Sequence, residues 1–233
     1  MGTNLNGMRA KITKMSIVFL DGYFATPSSG QGKPVLVLHA WWGLNTTIKD
    51  ICDKLAKAGY FAYAPDLYHG KVASTIPEAE ALSSALDKNN RQIKSELADA
   101  VKFLVEKKGT TGHDIAVVSF SMGAYYALDL AASDPAHISS VVLFYGSGPV
   151  DHSTSRARYL GHFADNDPYE PKENVENLEE SLKKTGHPVV FYIYENTGHW
   201  FFEPDRMDAY NEVAAKLAWK RTLEFLKTPS SRA

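Results

Sequence analysis

The segment Asp114-Ile115-Ala116-Val117-Val118-Ser119-Phe120-Ser121-Met122-Gly123-Ala124 constrains this chain more than any other. A short β-branched strand runs directly into small-x-Ser-x-Gly, and a helix of apolar and small residues follows. The pattern reads as a nucleophile elbow, a strand-to-helix turn so tight that only small residues fit two before and two after the serine. Such a turn holds Ser121 Oγ out above a sheet, at the positive end of the helix dipole. Ser119 stands where Gly is usual in these turns, and it too lacks bulk. The bland alternative is a serine that caps an ordinary helix.

The surrounding pattern supplies a sheet for that turn to sit on. Val35-Leu36-Val37-Leu38 is a continuous apolar run, as expected of a strand buried on both faces. Thr46 to Ala58 has helical periodicity and stops at Gly59, and Tyr60 to Ala64 reads as the next strand. Ile76 to Lys108 reads as two helices broken near Asn89-Asn90 and ending at Gly109. Strands follow at Ile115 to Val118, Ile138 to Phe144, Arg158 to Phe163 and Val189 to Tyr194, with helices at Val175 to Lys184 and Met207 to Leu226. Ser16 to Phe19 and Gly22 to Ala25 are expected to form a hairpin across Asp21-Gly22. Alternating strands and helices predict an α/β domain, a mostly parallel central sheet with helices on both faces. The 233 residues suffice for one such domain with one core, which buries roughly 70% of its unfolded surface. We expect a loose arm over residues 1–11, the domain over 12–227 and a tail over 228–233.

Charge and composition exclude several classes of function. A formal net charge of −2 gives no strong phosphate-binding field, so nucleic acid is not an expected partner. No apolar run reaches the roughly 20 residues of a membrane span, and the first 14 residues lack a signal-peptide core, which points to a cytoplasmic location and no membrane partner. One cysteine, Cys52, allows no intrachain disulfide and reads as a small half-buried core residue. His152, His162 and His187 lack close spacing with other ligands, so neither a metal nor another cofactor is expected.

A serine hydroxyl is a weak nucleophile and needs a base. His199 follows the strand Val189 to Tyr194 and precedes the last helix, in Asn196-Thr197-Gly198-His199-Trp200-Phe201, where Gly198 would let the loop turn back towards the sheet. It completes the chain order nucleophile, acid, base. The acid should be a carboxylate that fixes the imidazole tautomer. Asp165 and Asp167 both follow a strand, and the residues alone leave the choice open, since either could merely cap the loop. An oxyanion hole needs two backbone N–H groups. Met122 N–H opens the helix after Ser121, and Trp41 N–H, in His39-Ala40-Trp41-Trp42-Gly43, is the expected second donor by its position in the turn. Trp41, Tyr68, Tyr145, Trp200 and Phe201 are expected to form an aromatic substrate pocket.

With these residues in place, the chain resembles the dienelactone hydrolase family of α/β-hydrolases along nearly its whole length. The markers are His39-Ala40-Trp41-Trp42-Gly43-Leu44-Asn45, Ala64-Pro65-Asp66-Leu67-Tyr68, Ser119-Phe120-Ser121-Met122-Gly123, Phe144-Tyr145-Gly146, Asp167-Pro168-Tyr169-Glu170-Pro171 and Gly198-His199-Trp200-Phe201. The resemblance implies an α/β-hydrolase fold and selects Asp167, which precedes the family's short x-x-x-Pro stretch, over Asp165. It also implies oxyanion donors at Trp41 and Met122.

The chain departs from the family in four places. The best-known members carry a cysteine where this chain has Ser121 and a glutamate where it has Ala40. Members acting on dienelactone hold the substrate carboxylate with two arginines, and the corresponding positions here are Gly70 and Glu203. A partly exposed Glu203 would repel an anionic substrate, and His69 or Lys71 are candidate substitutes for the missing arginines. The expectation is a serine hydrolase of dienelactone hydrolase type, acting on small esters or lactones through an acyl-enzyme on Ser121. The alternatives are a non-catalytic ligand- or partner-binding relative, a thioesterase or a dienelactone-specific enzyme. Neither the oligomeric state nor a lid role for Ile76 to Asn89 is fixed by the sequence.

Overall fold

Alternation along the central strands decides the architecture. In the computed structural model, which describes residues 21–108 and 114–228, strand β2 (Lys33–Leu38) sends Val35 and Val37 to one face of the sheet and Leu36 and Leu38 to the other. Strand β4 (Ile115–Phe120) divides the same way, with Ala116, Val118 and Phe120 on the first face and Ile115 and Val117 on the second. A period-two chain that is apolar at every position must be covered on both sides. Val35, Leu36, Val37 and Leu38 have no exposed surface, and burial of each stabilises the fold by roughly 1.5–3 kcal/mol.

The other strands are β1 (Gly22–Ala25), β3 (Tyr60–Pro65), β5 (Ile138–Phe144), β6 (Arg158–Ala164) and β7 (Val189–Tyr194). Among the described residues they form one seven-stranded sheet in the order β1-β3-β2-β4-β5-β6-β7. All neighbours are parallel except β1, which pairs antiparallel with β3 through Gly22 to Pro65 and Ala25 to Ala62. The expected hairpin partner, Ser16 to Phe19, lies outside the described residues, as do residues 1–11 of the expected arm and the helix-ending Gly109.

Helices α1 (Thr46–Lys57) and α6 (Glu212–Lys227) pack on the first face. Helices α3 (Asn90–Lys108), α4 (Gly123–Ser133) and α5 (Lys172–Lys184) cover the second, and α2 (Ile76–Lys88) precedes α3. The break between α2 and α3 falls at Asn89, whose side-chain amide donates to Ala85 O. Two boundaries differ from expectation. α6 begins at Glu212 rather than near Met207, because Asn211 accepts the Ala214 N–H as an N-cap, while Ala209 and Tyr210 bond back to Arg206 in turns. α5 begins at Lys172, three residues before Val175, since the polar first turn after Pro171 carries no apolar signal. Cys52 is fully buried rather than half-buried, and burial pushes its thiol up to about 12. No helix among the described residues is long and apolar enough to cross a membrane.

Candidate active site

The parallel strands deliver their carboxyl ends to one edge, where loops after β2, β4, β5, β6 and β7 converge. Backbone strain gathers there. Of the five non-glycine residues with positive φ among those described, Ser121 (48°), Tyr145 (38°), Asn196 (55°) and Trp200 (65°) lie just after β4, β5 and β7. The fifth, His69, follows β3. Such conformations persist only where surrounding contacts over-determine them.

Those contacts are visible at Ser121. Its N–H donates to Phe144 O at 2.9 Å, and its own carbonyl accepts the Ala124 N–H at 2.8 Å, fixing both sides of the turn. A Cβ on Gly123 would stand 2.8 Å from the backbone oxygens of both Leu38 and His39, so the helix can meet the loop after β2 only because this residue is glycine. Ser119 is fully buried, and its hydroxyl donates to Val142 O at 3.0 Å. The added oxygen where glycine is usual therefore has a partner on the adjacent strand.

Ser121 Oγ lies 2.8 Å from His199 Nε2, and His199 Nδ1 lies 2.7 Å from Asp167 Oδ2. A carboxylate can only accept, so Nδ1 carries the hydrogen and Nε2 is left to accept from the serine. The side chains of His199 and Asp167 are almost wholly buried. Asp167 is fixed in turn by the Tyr169 and Glu170 N–H groups on its Oδ1, at 2.9 and 3.0 Å. Asp165 does the other work foreseen for these carboxylates. It accepts from the N–H groups of Asn196 and Thr197, which hold its pKa below the usual carboxylate range, and so caps the loop leading to His199. Gly198 is not what turns that loop, since a Cβ there would meet only an ordinary contact with Asn166 O. The turn is made by Asn196 and Trp200 in the left-handed region.

Trp41 and Met122 flank the same cavity, and their N–H groups donate to no other group among the described residues. The cavity, of about 220 Å³, is walled by Trp41, Tyr145, Tyr169 and Trp200. Two residues expected in this wall are elsewhere. Tyr68 is buried against the His39 ring with its hydroxyl on Met122 Sδ, and Phe201 is fully buried between Tyr145 and Tyr194. Their aromatic character serves the core under the site. Tyr169, Ser147 and Glu170 also line the cavity; Tyr169 and Glu170 stand inside the marker Asp167–Pro171, but only the loops after β5 and β6 bring the three to this wall. Glu170 is nearly buried. Burial raises its pKa, opposed by hydrogen bonds from the Ser147 hydroxyl at 2.7 Å, the Ser147 N–H and the Asn174 side chain.

A family model for the dienelactone hydrolase family matches residues 20–230. The chain belongs to the dienelactone hydrolase family. It is 31% identical over 217 residues to "Protein usf" of Aquifex pyrophilus, covering 90% of this chain and 94% of that protein. It is 31% identical over 220 residues to a "Probable 2-oxo-3-(5-oxofuran-2-ylidene)propanoate lactonase" of Bradyrhizobium sp, covering 88% of each. Among solved structures, a dienelactone hydrolase-like promiscuous phosphotriesterase from metagenomic libraries superposes with a TM-score of 0.78 at 21% identity, over 88% of this chain and 90% of that one. The fold is thus that of the α/β-hydrolases.

Ala40, where the best-known members carry glutamate, is buried in apolar core. Glu203, in place of the second arginine, is not partly exposed as expected. It has no exposed surface and sits behind Tyr145, whose hydroxyl donates to its Oε1. Burial pushes its pKa up to about 8, so it carries little charge near neutrality and does not face the cavity. His69 and Lys71, the candidate substitutes for the arginines, do not line the cavity either.

Proposed function

We propose that this chain is a serine hydrolase that cleaves small carboxylic esters or lactones through an acyl-enzyme on Ser121. The observation that carries the reading is the continuous chain of hydrogen bonds from Ser121 Oγ through His199 to Asp167 at the mouth of an aromatic cavity. His199 Nε2 takes the Ser121 proton as Oγ attacks the ester carbonyl carbon. Charge develops on the carbonyl oxygen, where the N–H groups of Trp41 and Met122 stabilise it. His199 then gives its proton to the leaving oxygen, and the alcohol departs. Water, deprotonated by His199, attacks the acyl carbon, and Ser121 recovers its proton as the acid leaves. Asp167 stabilises the imidazolium in both halves. In a lactone the leaving oxygen remains tethered to the acyl group, so ring opening and acylation are one event.

The family supports ester or lactone chemistry, and a related chain is described as a lactonase. With Ala40 in place of the helper glutamate, the serine depends on His199 alone for activation. The test is turnover of p-nitrophenyl acetate by the wild-type chain and by Ser121→Ala. The variant should lose at least about 10³-fold in kcat/KM. Full activity in Ser121→Ala would sink the proposal, and so would a wild-type chain that neither turns over esters nor is labelled at Ser121 by an organophosphate.

A further inference from the structure

The catalytic cavity carries a chemical bias. Four aromatic side chains, Trp41, Tyr145, Tyr169 and Trp200, contribute to its wall. Tyr169 is the hub, with ring centroids 5.8 Å from Trp41, 5.0 Å from Trp200 and 5.2 Å from His199. Among the described residues, no lysine or arginine lines this cavity, and the carboxyl group in its wall is that of Glu170. That carboxyl is held in place by Ser147 Oγ, so it does not have to be ordered when a ligand arrives. Aromatic faces present negative quadrupole density, which attracts cations and repels anions. A carboxylate in the same wall adds to the same field, more strongly as water is excluded.

We infer that this site selects esters bearing a positively charged ammonium group, with the Trp41, Tyr169 and Trp200 faces receiving the cation and Glu170 balancing its charge. The inference rests on the hydrolase reading of the same site and names its substrate class. An aromatic cage closed by one acid is a recurring solution for quaternary and primary ammonium ions, because it needs no directional hydrogen bond from the ligand. It also accounts for the cavity's lack of an arginine clamp. An anionic substrate would meet a carboxylate and aromatic faces instead of a counter-charge.

Binding can be read without turnover, which separates this inference from the hydrolase reading. Choline and 3,3-dimethylbutan-1-ol have nearly the same shape and differ in charge. Calorimetric titration of both into the wild-type chain at pH 8 should show choline bound about tenfold more tightly. In Glu170→Gln the ratio should fall towards one, through loss of choline affinity. In Ser147→Ala, which keeps the carboxylate but removes its hydroxyl partner, choline should remain preferred. A ratio near one in the wild-type chain overturns the inference whatever the variants do, and leaves Glu170 as a tie between the β5 and β6 loops. A preference undiminished in Glu170→Gln overturns its assignment as the balancing charge. The Ser121→Ala experiment stands apart, since lack of ester turnover would not abolish choline binding.

Discussion

The Tyr145 hydroxyl donates to Glu203 Oε1 at 2.7 Å, and neither residue has any exposed surface. The other carboxylate oxygen of Glu203 meets no hydrogen-bond partner among the described residues. The Tyr145 ring lies 4.9 Å from that of His199, so a buried acid is one side chain removed from the proposed base. Burial makes a full negative charge on Glu203 costly, and the nearby Asp205 adds to that cost, while the Tyr145 hydrogen bond and the charge of Arg206 offset only part of it.

Stability should therefore depend on pH through Glu203. Its pKa rises from 4.5 in the unfolded chain to about 8 in the folded one. Its contribution is fully present below pH 4.5, is lost progressively as the pH rises, and is gone above about 8. At roughly 1.4 kcal/mol per unit, the loss is on the order of 5 kcal/mol. Urea denaturation from pH 5 to pH 9 should show Glu203→Gln gaining on the wild-type chain as the pH rises. Parallel curves would contradict the assignment.

The two carboxylates after β6 should separate cleanly by kinetics. In Asp167→Asn an amide N–H can face His199 Nδ1, which forces the proton onto Nε2 and leaves Ser121 without an acceptor. A fall in kcat of about 10³–10⁴-fold is expected. Asp165→Asn loses one charged acceptor of two backbone N–H groups, so it should loosen the 196–197 loop and change kcat far less. Equal losses of kcat in the two variants would refute the division of roles.

Gly123→Ala tests the closeness of α4 to the loop after β2. The new methyl would press on two backbone oxygens, of Leu38 and His39, neither of which can rotate away. A loss of roughly 1–3 kcal/mol is expected. The displacement would part Met122 from Trp41, so kcat should fall in excess of what the stability loss explains. Thermal melting and steady-state kinetics on the same preparation check both effects. An unchanged melting temperature would show that the contact is not tight.

Much of this architecture was readable from residue pattern alone. The apolar runs Val35–Leu38 and Ile115–Val118 located β2 and β4, because the central stretch of a strand buried on both faces is apolar at consecutive positions. The α2/α3 break followed from paired asparagines, which compete with helical hydrogen bonds through their own side chains. The turns at 207–211 look helical in the sequence because Met207 and Tyr210 mimic a helix's apolar spacing, while the cap that starts α6 is one side-chain bond to Ala214.

The aromatic pocket shows the limit more sharply. Tyr68, Tyr145, Trp200 and Phe201 are alike in chemistry, and all lie near the proposed nucleophile's loops. Which of them line a cavity and which pack beneath it depends on backbone angles at single residues, such as the positive φ of Tyr145 and Trp200. Glu203 and Glu170 differ for the same reason. The resemblance put Glu203 near the substrate, at the position of the family's second arginine, but the turn after His199 buries it behind Tyr145, while the loop after β6 brings Glu170 to the cavity.

The sequence by itself determined the sheet, the elbow and the three residues Ser121, Asp167 and His199 as candidates, because hydrophobic period, turn chemistry and family motifs are local properties. Which aromatic rings face the cavity and which glutamate lies in its wall were decided only in three dimensions. Those outcomes depend on how five loops from separate strands close over one edge, and distances across such an edge are not encoded in any single stretch of chain.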